Sequence, residues 1–104
     1  MITDDEAEKA VDYLRDNARK AAQATANRKY LEEYRRVVKA QLMKEHDTLP
    51  LGAQEREAYN EPRFTQHLKN EQTAIEEDEY MTWMMKAADA KISAWQTLSR
   101  KTRM

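Results

Sequence analysis

Across 104 residues the chain carries 36% charged and 40% hydrophobic side chains, a formal net charge of -1, one Gly, two Pro and no Cys. That length suits one domain; scarce Gly and Pro with plentiful Ala, Glu, Lys, Arg, Gln and Met indicate long helices rather than sheets or disorder, and the missing Cys excludes disulfides and thiolate metal sites. No apolar run nears the roughly 18 residues of a membrane span and no signal peptide opens the chain, so a soluble cytoplasmic protein without membrane contact is expected.

The first helix is predicted over 3–46. Thr3 and Glu6 have capping-box spacing, and Asp4 and Asp5 suit the positive end of a helix dipole. No Gly or Pro follows until Pro50. Some 43 residues rising 1.5 Å each would span roughly 65 Å. Residues 47–52, Asp47-Thr48-Leu49-Pro50-Leu51-Gly52, hold both strong helix breakers and are predicted as a loop. A short helix is expected over 53–60. Pro62 either ends it or opens the next one, and a second long helix is predicted over 63–101.

These elements give an all-α fold class: a single domain, 1–104, forming a long antiparallel helical hairpin with a short connecting helix. Antiparallel neighbours have residue numbers with a constant sum, and a sum of 106 aligns the apolar positions of the two long helices. Leu42 then meets Phe64, Val38 meets Leu68, and Leu31 lies beside Ile75. Further along, Ala21 meets Met85, Ala18 meets Ala88, Leu14 meets Ile92 and Val11 meets Trp95. These follow the three-four spacing of a helix–helix seam. The same alignment sets the acidic group Glu71, Glu76, Glu77, Asp78 and Glu79 opposite Arg28, Lys29 and Arg35. It also sets Asp4, Asp5, Glu6 and Glu8 opposite Arg100 and Lys101. Arg28 with Asp78 and Arg35 with Glu71 become polar pairs inside the seam, which fix register while adding little net stability.

A two-helix seam leaves other apolar groups uncovered. Tyr30, Tyr34 and Val37 lie partly off it on the first helix. Trp83, Ala87, Ala90 and Ala94 form a stripe on another face of the second, and Met84 lies beside Trp83. Small residues let helices approach closely and an aromatic adds buried area. Tyr30, Tyr34, Trp83, Met84, Ala87, Ala90 and Ala94 are therefore the candidate interface of a homo-oligomer.

Chemistry-bearing patterns are sparse. Bundle di-metal sites need Glu-x-x-His pairs; none occurs, so His46 and His67 are expected as partly exposed histidines near the ends of the loop. Glu76 to Glu79 are consecutive, so their carboxylates point in different directions and form a solvated face. Serine or cysteine nucleophile patterns, phosphate-binding glycine loops and zinc spacings are absent. No catalysis, cofactor, metal or small-molecule substrate is expected. Arg36, Lys39, Lys44 and Arg103 exceed what the acidic block neutralises. With Tyr30 and Tyr34 nearby, such residues can follow a phosphate backbone and stack bases.

The stretch Arg28-Lys29-Tyr30-Leu31-Glu32-Glu33-Tyr34-Arg35-Arg36-Val37-Val38-Lys39-Ala40-Gln41-Leu42-Met43 resembles the first long helix of small tailed-phage proteins of recombination and replication modules. Ala53-Gln54-Glu55-Arg56-Glu57-Ala58-Tyr59 and Ala90-Lys91-Ile92-Ser93-Ala94-Trp95-Gln96-Thr97-Leu98 extend the resemblance over most of the chain. More distantly it is similar to phage recombination mediators, which load a recombinase onto single-stranded DNA. The resemblance implies an α-helical ring acting on single-stranded DNA beside a recombinase and a single-strand binding protein. Arg35, Arg36, Lys39 and Lys44 would then contact the backbone. The short tail after Trp95 and a pI near 6.1 depart from that pattern. The competing expectation is a structural adaptor or inhibitor, without nucleic-acid binding, whose Trp83 and Met84 face grips a protein.

Overall fold

The structure, a computed structural model, describes residues 1–103, excepting the Arg103 side chain. The described residues form helices α1 (Asp4–Lys44), α2 (Leu51–Asn60) and α3 (Pro62–Arg103), and no strand. Thr3 begins α1 as its spacing predicts: its Oγ1 accepts from the Glu6 N–H at 3.1 Å, satisfying one orphan donor of the first turn. At the far end α1 stops at Lys44 rather than 46. The Glu45 and His46 N–H groups reach back three residues, to Leu42 and Met43, and tighten the chain into turns.

Pro50 sits at the N-cap of α2 with ψ 154°, so the break falls there and Gly52 lies inside the helix rather than in the predicted loop. The Gln54 side chain donates to the Leu49 carbonyl at 2.8 Å, which secures the entry. Between α2 and α3 only Glu61 remains outside a helix, extended at φ -72° and ψ 130°. The following Pro62 clashes with a helical conformation at the residue before it, yet its own fixed φ suits the first helical position.

The chain divides into two compact units, one made of residues 1–24 and 78–103, the other of Thr25–Glu77. In the second, Leu42, Ala58 and Phe64 are the buried centre, with Val38 and Met43 packed against them. Ala58, with no exposed surface, lets α2 approach α1 and α3 closely. Tyr59 meets Phe64 edge-on, ring centres 5.2 Å apart, and Glu55 reaches Lys39 of α1 at 2.7 Å. Outside this centre, Glu45 accepts two hydrogen bonds from Arg63. In the first unit the buried apolar residues are Ala7 and Ala10 of α1 with Met81 and Ala88 of α3. Leu14, Met85, Ile92, Trp95 and Leu98 are half-buried around them. Within each unit α1 and α3 run antiparallel. Arg35 meets Glu71 while Leu42 packs with Phe64, and Asp4 meets Trp95 while Ala10 shares a groove with Ala88.

Several predicted partners need correction. Leu42 with Phe64 and Arg35 with Glu71 are found as expected. Leu68 and Ile75, however, are 40% and 38% exposed, and the buried positions beside them are His67 and Ala74. The buried spacing Phe64, His67, Glu71, Ala74 keeps a strict three-four phase, which Leu68 and Ile75 miss by one residue, or about 100° of helix rotation. Val11 is 49% exposed, with Ala7 and Ala10 buried in its place. Alanines draw the helices too close to admit an indole between them. Trp95 therefore lies along the groove lined by Ala7, Glu8, Val11 and Ile92, and its Nε1–H donates to Asp4 at 2.6 Å. Ala18, expected against Ala88, is exposed. Asp5, expected to face the basic end of the chain, pairs with Lys9 one turn along its own helix, at 3.0 Å.

Candidate functional site

Two groupings of side chains stand out: a polar cluster buried in the Thr25–Glu77 unit, and an exposed aromatic face on α3 in the other. The cluster is built from neighbouring seam positions. Glu71 is 2% exposed and His67 7%, so the histidine is interior, contrary to the expected loop-end site. Placing a carboxylate there is costly unless it is paired, and Arg35 supplies the pair in a fork: Nε to Oε2 at 3.1 Å and Nη2 to Oε1 at 2.5 Å. That hydrogen bonding, led by Glu71, raises the Arg35 guanidinium further above its ordinary range. His67 Nε2 lies 2.9 Å from the Leu31 carbonyl oxygen, so this nitrogen carries the proton and donates. The His67 ring tilts against Tyr34, centres 6.2 Å apart, and Tyr34 in turn stacks on Tyr30 at 5.6 Å. The three rings lead from the interior to an exposed phenol.

Beside this cluster opens a groove of about 490 Å³, lined by Val38, Leu42, Glu45, Arg63, His67 and Asn70 among others. Several of its polar groups are partnered: Gln66 donates to Asn70 at 3.0 Å, and Arg63 holds Glu45 below the usual carboxylate range, chiefly by hydrogen bonding. Among the described residues no set of three or more His, Cys, Asp or Glu side chains is placed to hold a metal ion, and no helix is long and apolar enough to cross a membrane.

The predicted nucleic-acid contacts do not converge. Arg35 is anchored on Glu71. Lys39 is held at 2.7 Å by Glu55 and lies over the Tyr59 ring, 4.8 Å from its centre. The Glu55 bond comes first among the causes that raise the Lys39 ammonium and lower the Glu55 carboxyl. Arg36 is exposed, with Glu33 at 3.3 Å. Lys44 is exposed at the end of α1. At about 100° per residue, Arg36 and Lys44 point about 100° and 180° away from Arg35. Arg103 closes α3, and its side chain lies outside the described residues. No family model, no curated protein and no solved structure matches this chain. Function must come from its surfaces.

The interface candidates are better placed. Trp83 is 64% exposed, and Met84, Ala87, Ala90 and Ala94 are all exposed on the same helix. Lys86 sets its ammonium 4.7 Å above the Trp83 ring, which orders the indole on the surface. Tyr30 is exposed and Tyr34 half-buried, both in the other unit. Tyr80 is not among the predicted interface residues. It too is exposed, and its position three residues before Trp83 was the signal, because three-then-four steps continue from Tyr80 through Ala94. The clasp of Lys39 by Glu55 and Tyr59 had no local signal, since it depends on where α2 folds.

Proposed function

We propose that this protein is a non-catalytic accessory protein that works by assembling, a homo-oligomeric helical hairpin whose copies associate through the outer face of α3. The single observation carrying this reading is the exposed run Tyr80, Trp83, Ala87, Ala90 and Ala94 at helical three-four spacing. An aromatic side chain buries 150–250 Å² when covered, worth about 25 cal/mol per Å² of apolar area. Leaving two of them in water on one stripe favours association. Mass by light scattering across a concentration series tests it: a mass above one chain, lowered by Trp83→Ala at unchanged helicity, is expected. A single-chain mass at every concentration overturns the reading.

A second reading keeps the phage-type recombination role, with single-stranded DNA, a recombinase or a single-strand binding protein as partners. It is favoured by the exposed Lys29 and Arg36, which share one face of α1 a heptad apart, and by the exposed Tyr30 next to Lys29, a combination of cations with a stacking ring. Assembly would multiply these weak contacts. Binding to a labelled single-stranded oligonucleotide that weakens steeply with salt, and drops with Lys29→Glu and Arg36→Glu, supports it. No binding at low salt by an intact assembly removes the DNA role and leaves the adaptor class.

A further inference from the structure

Between Tyr80 and Thr97, α3 carries two seams. Met81, Met85, Ala88, Ile92 and Trp95 form the buried or half-buried one. Tyr80, Trp83, Ala87, Ala90, Ala94 and Thr97 form the other: every one is exposed, and they recur in steps of three, four, three, four, three. At 3.6 residues per turn the midline of the second set lies about 150° from that of the first. A helix with coiled-coil spacing on both faces is built to be covered on both.

We propose that a second copy of this chain covers the outer face, its α3 packed antiparallel on this one about a two-fold axis between Ala87 and Ala90. This rests on the assembly reading above and adds the partner, the direction and the register. Size is the first argument. In this alignment Tyr80 faces the partner's Thr97, Trp83 faces the partner's Ala94, and Ala87 faces the partner's Ala90, so every aromatic meets a small residue. All six positions of the stripe from each chain are used. A parallel pairing would instead set Trp83 on Trp83 and Tyr80 on Tyr80.

Charge selects the same alignment. The residues flanking the outer stripe are Glu79, Lys86, Ser93 and Arg100 on one side and Met84 and Lys91 on the other. Like flanks meet in an antiparallel pair. Glu79 then lies beside the partner's Arg100, twice by symmetry, Lys86 lies beside the partner's Ser93, and the Lys91 stem runs over the partner's Met84. No like charges oppose one another. A parallel pair would bring Lys86 to the partner's Lys91 at two places. An antiparallel pair slipped by one heptad would set Lys86 against the partner's Lys86. Both alternatives carry repulsion that the proposed register lacks.

The chain has no native cysteine, so a single Thr97→Cys spin label reports the geometry without background. The proposed register separates the two labels by roughly 25 Å along the helices, at 1.5 Å per residue. A parallel pair brings them together, and the slipped antiparallel pair takes them to roughly 36 Å; either result overturns the proposal. Because the label lies on the interface, charge reversal gives an independent reading by sedimentation. Glu79→Arg alone and Arg100→Glu alone should each weaken the dimer about tenfold, and the double variant should recover most of it. Ala87→Glu should give single chains with unchanged helicity. An assembly that Ala87→Glu breaks but whose mass ignores the charge reversals refutes this pairing while the assembly reading stands; an assembly indifferent to Ala87→Glu as well, or single chains from the unaltered protein, refutes both.

Discussion

Arg35 sets two of its guanidinium nitrogens, Nε and Nη2, on the two oxygens of Glu71, a carboxylate with only 2% of its surface exposed, while the arginine itself keeps half its side chain in water. The asymmetry decides what each substitution does. Removing the arginine strands an interior charge, whereas removing the carboxylate leaves a cation that water can solvate.

Arg35→Ala is therefore expected to destabilise the fold by about 2–3 kcal/mol, below the full cost of breaking a wholly buried pair because water reaches Arg35. Glu71→Gln should cost less, and the double change Arg35→Met with Glu71→Met should come close to neutral. Urea unfolding followed by helicity measures all three. Equal losses from the two single variants would contradict the asymmetry.

Acid should loosen the Thr25–Glu77 unit through Glu45 and Glu55, whose carboxyls sit below their ordinary range because Arg63 and Lys39 hydrogen-bond to them. A group lowered in the folded state stabilises it fully above its unfolded pKa, near 4.3 for Glu. It loses that contribution as pH falls through the folded value. The melting temperature should drop progressively below about pH 4.5. Arg63→Ala should flatten part of that decline, and a profile identical to the unaltered protein's would rule out the Glu45 contribution.

Ala58 has no exposed surface between Leu42 and Phe64. Ala58→Leu should overpack this junction and cost about 1–3 kcal/mol, read as a lowered urea midpoint. Gly52 gives the opposite case. It lies in α2, has no positive φ, and a Cβ there would meet nothing within 4 Å. Gly52→Ala should stabilise by about 0.5–1 kcal/mol through helix propensity and reduced unfolded-state freedom.

The two tryptophans should separate cleanly. Trp95 is half-buried and tied to Asp4, so Trp95→Ala should cost about 2 kcal/mol, short of the loss at a fully buried indole. Trp83→Ala should leave fold stability within about 0.5 kcal/mol. Thermal melts at low protein concentration, where association does not contribute, make the comparison.

Helix positions were legible where they depend on local signals, the Thr3 cap and Pro50; Pro62 suits either the end of one helix or the start of the next, and only the structure shows that it opens α3. Arg35 with Glu71 and Leu42 with Phe64 were legible because opposite charge and matching hydrophobicity agreed on one alignment. Residue identity misled where phase mattered more. Leu68 and Ile75 attract the eye as core residues, but the three-four beat from Phe64 falls on His67 and Ala74 instead. Trp95 was placed on the right groove without its anchor, since an indole's reach along alanines depends on interhelical distance. Exposure of the outer stripe on α3 needed the seam to be drawn first.

The terminal unit joins residues 1–24 to 78–103, which has a consequence for synthesis. Ala7 and Ala10 leave the ribosome long before Met81 and Ala88 have been translated. The seam of this unit must join residues far apart in sequence, the slower kind of contact to form, whereas the Leu42, Ala58 and Phe64 centre joins residues close in sequence and can form first. Until the terminal seam closes, the Ala7 and Ala10 flank stays uncovered, so domain swapping between copies would start from the terminal unit.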